Sequence, residues 1–185
     1  MTKIKEMYLT RCQQDSDINL LLPTLFEYAK NCTHITEMGF RAGNSASAFL
    51  AGLAENDQDE KVFHTYDIVE SVEVAQLREA AEESGIEFIF HLEDTRETDI
   101  QLTDFLFIDT EHNYDQVTAE LKRHHSKAHW WIGFHDVETF PDLKRGIDTW
   151  RSSNDGWKTV VHKTESNGLL IIERIATDSW KERDE

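Results

Sequence analysis

Carboxylates and imidazoles crowd two short stretches of this 185-residue chain. One is Asp109-Thr110-Glu111-His112-Asn113-Tyr114 and the other is His135-Asp136. Each follows a nearly continuous apolar run, DFLFID at 104–109 and HWWIGFHD at 129–136, as expected of strands buried on both faces. On neighbouring strand ends, Asp109 and Asp136 would face one crevice with His112 and His135 close by. Two carboxylates near imidazole suit a divalent cation, since buried like charges need a compensating one. They also suit acid–base chemistry, because imidazole titrates near neutral pH. Asp109 and Asp136 are therefore the expected carboxylate ligands of a divalent ion, with His112 or His135 as a further ligand or a base. The expected catalytic groups are His112, His135 and Asp136.

A second kind of chemistry belongs to Glu37-Met38-Gly39-Phe40-Arg41-Ala42-Gly43-Asn44-Ser45, which follows the strand-like HITEM at 34–38. Gly39 and Gly43 permit tight turning and close backbone approach to a ligand, and Asn44 and Ser45 can cap the next helix. Two glycines alone fit a plain turn equally well. A dinucleotide fingerprint would need glycine where Arg41 stands, and no Gly-Lys-Ser/Thr follows as in a phosphate loop. Glu37 would repel a pyrophosphate but suits a cationic amino group and a sulfonium, the charges of S-adenosylmethionine. Asp67 ends the strand-like KVFHTYD at 61–67. It can take ribose hydroxyls or serve the N-terminus of a following helix. Asp94 and Thr95, beyond IEFIFHL at 86–92, can meet an adenine edge or form a solvated turn.

These residues need a frame that brings strand ends together. Apolar positions recur at helical spacing in 17–31, 45–56, 71–84, 114–125 and 142–153, with Pro23 and Pro141 at helix starts. Strands alternate with those helices, and WKTVVHK (157–163) and GLLIIERI (168–175) form a terminal hairpin. Repeated strand–helix units imply a Rossmann-like, doubly wound, mostly parallel α/β sheet, and the hairpin places one antiparallel strand in it. Ligands bind such sheets outside the carboxyl ends of the strands. One domain over 1–185 is expected, with 1–15 and 176–185 at its periphery.

Composition narrows the function. With 36 acidic and 19 basic residues the net charge is −17. No Lys/Arg cluster offers a footprint for nucleic acid or an anionic membrane. No apolar run approaches the roughly 18 residues of a membrane helix, and the N-terminus lacks the apolar core of a signal peptide. Cys12 and Cys32 form no CxxC pair, which fits two reduced thiols in a cytoplasmic protein.

Taken together, ITEMGFRAGNS (35–45), HTYD (64–67), HLEDTRET (91–98), DFLFIDTEHNYDQVTAEL (104–121) and WIGFHDV (131–137) resemble a small class I S-adenosylmethionine-dependent methyltransferase. The resemblance is greatest to the cephalosporin hydroxylase-like and macrocin-type O-methyltransferases, and it spans roughly residues 20–175. It implies a seven-stranded sheet whose last strand is antiparallel. It implies that Glu37, Gly39, Arg41, Gly43, Asn44 and Ser45 contact the methionine part of the cofactor. By the same resemblance Asp67 holds its ribose and Asp94, with Thr95, flanks its adenine. In metal-dependent members, acids after the fourth and fifth strands hold magnesium; the matching positions are Asp109, which also borders the cofactor, His135 and Asp136. His135 departs from the carboxylate or amide found there in some relatives. The chain also lacks the long N-terminal extension of larger relatives, so a partner copy in a homo-oligomer is one way to complete the acceptor site.

The function expected is O-methylation of a hydroxyl on a small molecule or sugar. A non-catalytic binding protein on the same fold is the main alternative. A nicotinamide-dependent oxidoreductase is disfavoured by Arg41 and Glu37.

Overall fold

The structure, a computed structural model, describes residues 1–175; the expectation for 176–185 lies outside them. Seven strands form one sheet: β1 His34–Met38, β2 Val62–Asp67, β3 Glu87–Leu92, β4 Thr103–Ile108, β5 Ala128–His135, β6 Trp157–Lys163 and β7 Leu169–Arg174. Their order is β3-β2-β1-β4-β5-β7-β6. The first five pair in parallel, while β7 runs antiparallel to both β5 and β6. The terminal hairpin therefore inserts its second strand next to β5. This is the Rossmann-like arrangement expected.

Among the described residues six α-helices cover the sheet: α1 Lys3–Gln13, α2 Leu22–Ala29, α3 Asn44–Glu55, α4 Glu73–Glu82, α5 Tyr114–His124 and α6 Pro141–Arg151. Apolar side chains drive this on both faces. Leu25, Phe49 and Leu77 of α2, α3 and α4 pack with Phe63 and Phe105 of the strands. Val117, Leu121 and Ile147 of α5 and α6 pack with Ile108 and Ile132 on the other face. Pro23 and Pro141 stand in the first turns of α2 and α6, where a missing N–H costs nothing.

Two local readings change. Residues 1–15, expected at the periphery, supply α1, whose Ile4 and Tyr8 are buried; Tyr8 stacks on Phe26 at 4.9 Å. The helix expected from residue 17 starts only at Leu22, because 14–21 form bends and a turn between α1 and α2. Among the described residues no helix is long and apolar enough to cross a membrane.

The connection after β1 leads to β2 on one side, whereas that after β4 leads to β5 on the other. Their carboxyl ends thus flank the topological switch point, where open α/β sheets bind ligands. The chains touch there. Gly39 has φ +93, and a Cβ on it would lie 2.0 Å from the carbonyl oxygen of Asp109. Only glycine fits both the left-handed backbone and that approach.

Candidate active site

A cavity of about 530 Å³ opens at this switch point, lined by the ends of β1, β2, β3 and β4 and by the start of α5. That volume is ordinary for a small-molecule site. Gly39, Arg41, Asp67, Asp94, Thr95, Asp109 and His112 all border it.

At one end four charged groups meet. His112 Nε2 lies 2.6 Å from Asp136 Oδ2 and 3.6 Å from Asp109 Oδ1. His135 Nδ1 lies 3.2 Å from Asp109 Oδ1 and 3.3 Å from Asp136 Oδ2. The other His135 nitrogen, Nε2, donates to the backbone carbonyls of Asp17 and Ser166 at 3.1 and 3.0 Å. His135 is 2% exposed, so it is fastened between the α1–α2 connection and the β6–β7 turn. Asp136 stands at φ +64, a left-handed conformation that short polar residues tolerate and that recurs at functional sites. Phe140 stacks on the His112 ring at 4.2 Å.

Burial alone would lower both histidines and raise both acids, but their mutual hydrogen bonds and charges outweigh it. His112 is raised to about 9 and His135 to about 11, while Asp109 and Asp136 are held below the usual carboxylate range. Imidazolium charge on both rings balances the two carboxylates, and His112 would give up its proton to bind a cation. The balance leaves polar capacity unused: His112 Nε2 and Asp136 Oδ1 are buried without an aligned hydrogen-bond partner. Ligand atoms of Asp109, His112 and Asp136 lie within 4.8 Å of one another. Donor atoms this close, with a carboxylate oxygen to spare, are what a cation would need.

At the opposite end lies a closed network. Glu120, fully buried on α5, accepts from Thr95 Oγ1 at 2.5 Å, Gln116 Nε2 at 2.8 Å and Thr110 Oγ1 at 2.9 Å. Burial raises its carboxyl and the three donors pull it back. His124 Nε2 bonds the Thr95 carbonyl at 2.7 Å.

Residues 36–137, from β1 to just past β5, match a family model described as methyltransferase domain. The chain belongs to that methyltransferase family.

Solved structures repeat its fold. An O-methyltransferase from Bacillus cereus in complex with SAH is 13% identical, with a TM-score of 0.65, covering 94% of this chain and 91% of that one. The SAH-bound methyltransferase PaMTH1 of Podospora anserina is 16% identical, with a TM-score of 0.59 and coverage of 92% and 87%. The O-methyltransferase TomG of Streptomyces achromogenes, in complex with SAM, is 13% identical, with a TM-score of 0.63 and coverage of 85% and 81%. No curated protein matches the chain.

Several residues expected to touch a ligand in this methyltransferase are placed behind the cavity. Glu37 is 0% exposed and accepts from Ser45 Oγ at 2.5 Å and Thr65 Oγ1 at 2.7 Å. Burial raises it to about 8 against the pull of those two hydroxyls. It braces the glycine loop from below. Ser45 spends its hydroxyl on Glu37 rather than on a cap, and the residue capping α3 is Gly43, at φ +67. Asn44 instead faces Arg11, at 3.5 Å. His135 and Asp136 also lie behind the cavity lining. Of the two histidines it is His112, not the expected His135, that joins Asp109 and Asp136 in the converging trio.

Asp67 does border the cavity, yet its Oδ2 already accepts from the amides of Phe40 and Arg41, and Oδ1 from that of Val69. It shapes the loop first and has little acceptor capacity left for a ribose. Arg41, at φ +49, turns outward to pair with Asp17 at 2.7 Å. Asp94 is held by its neighbour Arg96, at 2.6 Å.

Gln116, Glu120 and Phe140 escaped the sequence reading. The signal for the first two was present. They sit one turn apart on the inward stripe of α5, beside Val117 and Leu121, where an unexplained polar pair asks for a partner.

Proposed function

We propose that this methyltransferase uses S-adenosylmethionine to methylate a hydroxyl on a small molecule, with a divalent cation held by Asp109, His112 and Asp136. The observation that carries the reading is the convergence of those three side chains beside the switch-point cavity, with Asp136 Oδ1 left without a partner. The solved O-methyltransferases with SAM or SAH share the fold and support the cofactor.

When bound, S-adenosylmethionine supplies a methyl group already activated as a sulfonium. The protein's part is to align an acceptor oxygen with it and to remove the hydroxyl proton. Gly39 and Arg41 bring loop backbone to the cavity wall, and Asp67 holds that loop through the Phe40 and Arg41 amides. A divalent cation, when bound, supplies the charge that lowers the acceptor pKa. One imidazole beside two carboxylates suits manganese, iron or zinc better than magnesium, which prefers oxygen alone. His135 keeps Asp109 and Asp136 together while its far nitrogen is anchored to backbone, as imidazoles around metal sites commonly are. Phe140 covers one face of His112 and keeps water from that flank. Cys12 and Cys32 are both free thiols, which fits a cytoplasmic site of action.

The test is methyl transfer from labelled S-adenosylmethionine to a panel of phenols and sugars, with EDTA or with added manganese. Oxygen methylation lost on chelation and regained with manganese is expected. Transfer indifferent to EDTA would remove the cation from the reading. SAH binding without transfer to any acceptor would favour the non-catalytic alternative.

A further inference from the structure

The polar groups expected to read the cofactor's base are already spent. Asp94 Oδ1 accepts from the Arg96 amide at 2.9 Å, and its two oxygens bond the Arg96 guanidinium at 3.0 and 2.6 Å. The Thr95 hydroxyl donates to Glu120 at 2.5 Å and accepts from Gln116 Nε2 at 3.3 Å. Gln116 is different. Its Nε2 uses both hydrogens, one on Thr95 Oγ1 and one on Glu120 Oε1 at 2.8 Å. Its Oε1, among the described residues, receives no donor and is not sealed from solvent. The side chain borders the cavity and the residue is otherwise 7% exposed, so that oxygen opens into the cavity.

The amide cannot turn round freely. A flip would set the Gln116 oxygen against the Glu120 carboxylate and leave an N–H of Glu120's present donor facing away. Glu120 in turn is held by Thr95 and Thr110. The carboxylate acts on the cavity without touching it, by deciding which end of the amide faces in.

We infer that Gln116 Oε1, oriented by the positioning residue Glu120, accepts a hydrogen bond from the exocyclic amino group of the cofactor's purine and so selects a 6-aminopurine over a 6-oxopurine. The inference rests on the reading that S-adenosylmethionine occupies this cavity. A 6-amino group donates to the fixed acceptor. A 6-oxo group would place a second acceptor against it, and that unpaired contact would be costly in a site shielded from water.

The experiment is calorimetric titration of the whole protein with SAH and with S-inosylhomocysteine, which carries the oxo group instead. Wild type is expected to bind SAH about 30-fold more tightly. Gln116→Met, similar in length but with no acceptor, should weaken SAH about tenfold, spare the inosyl compound and bring the ratio to about threefold. Glu120→Gln lets the amide turn and should lower the ratio to about fivefold, with the fold checked by circular dichroism. A merely structural Glu120 would weaken both ligands alike and leave the ratio unchanged, which would overturn its positioning role. Equal binding of both ligands by wild type, or an unchanged ratio in Gln116→Met, would overturn the base reading while leaving the cofactor in place. Failure of wild type to bind either ligand would instead sink the cofactor reading on which this one stands.

Discussion

At one end of the cavity Glu120 accepts from three aligned donors, whereas at the other Asp136 meets two imidazoles within 3.3 Å and still leaves one oxygen without a partner. Both are buried acids, yet their surroundings differ in kind. Glu120 rides in the middle of α5 and its donors come from side chains fixed by local structure. Asp136 follows the last residue of β5 in a left-handed conformation, and its partners are charged. A satisfied buried acid is finished as a ligand and can serve only to orient its neighbours. An unsatisfied one, held in a strained backbone, keeps capacity for something that arrives later. In the proposed function the first is the end that recognises and the second the end that reacts.

The largest effect should come from the reacting end. Asp136→Asn keeps the shape and tolerates the left-handed backbone, but removes a charge from the converging trio. Turnover should fall by about 1,000-fold while SAH affinity stays within about threefold. Full turnover in that variant would make the two ends equivalent and break the comparison. Next is the wall that both ends share. Gly39→Ala drives a Cβ to 2.0 Å from the Asp109 carbonyl at a φ of +93, and should cost about 3 kcal/mol in urea unfolding. A cost under about 1 kcal/mol would show that β1 and β4 can part at no penalty.

Glu37 lies between the ends in behaviour: buried like Glu120, but with two donors instead of three. Its pKa is raised to about 8 by burial, so the folded chain holds this proton more tightly than the unfolded chain. The resulting stability is complete below the ordinary value of 4.5 and is lost as pH rises through 8. Glu37→Gln removes that dependence. The variant's Tm should exceed wild type by a few degrees near pH 8 and converge with it near pH 5. An equal difference at both pH values would show that Glu37 does not carry the proton. The smallest effect belongs to the recognising end: Thr110→Val takes one of three donors from Glu120 and should cost about 1 kcal/mol. A loss of several kcal/mol would mean that this network is as finely balanced as the reacting end.

Much of the fold was legible because its signals are local. The runs DFLFID and HWWIGFHD could only be buried strands, and the short Glu165–Gly168 turn between two apolar stretches could only be a hairpin. Helix α1 was not legible. It turns only Ile4 and Tyr8 fully inward, and what holds it is Phe26 of α2 and the surface of α3, supplied by tertiary packing. The roles of Glu37 and Ser45 were misjudged for a similar reason. The pairing of Glu37 opposite Thr65 in the β1–β2 register decides where that carboxylate finds its donors, and no spacing within the loop announces it.

By itself, then, the chain's sequence determined which residue types stand at the strand ends. Strand periodicity dictates where each strand stops, and the residue that follows must face the crevice. That was enough to bring Asp109, His112, His135 and Asp136 forward as a group. Only the tertiary structure decided which imidazole faces the cavity. His135 Nε2 is taken by the carbonyls of Asp17 and Ser166, 118 and 31 residues away along the chain. Hydrogen bonds over such separations form only when the whole sheet and its flanking loops are assembled, and they leave His112 as the imidazole that borders the cavity.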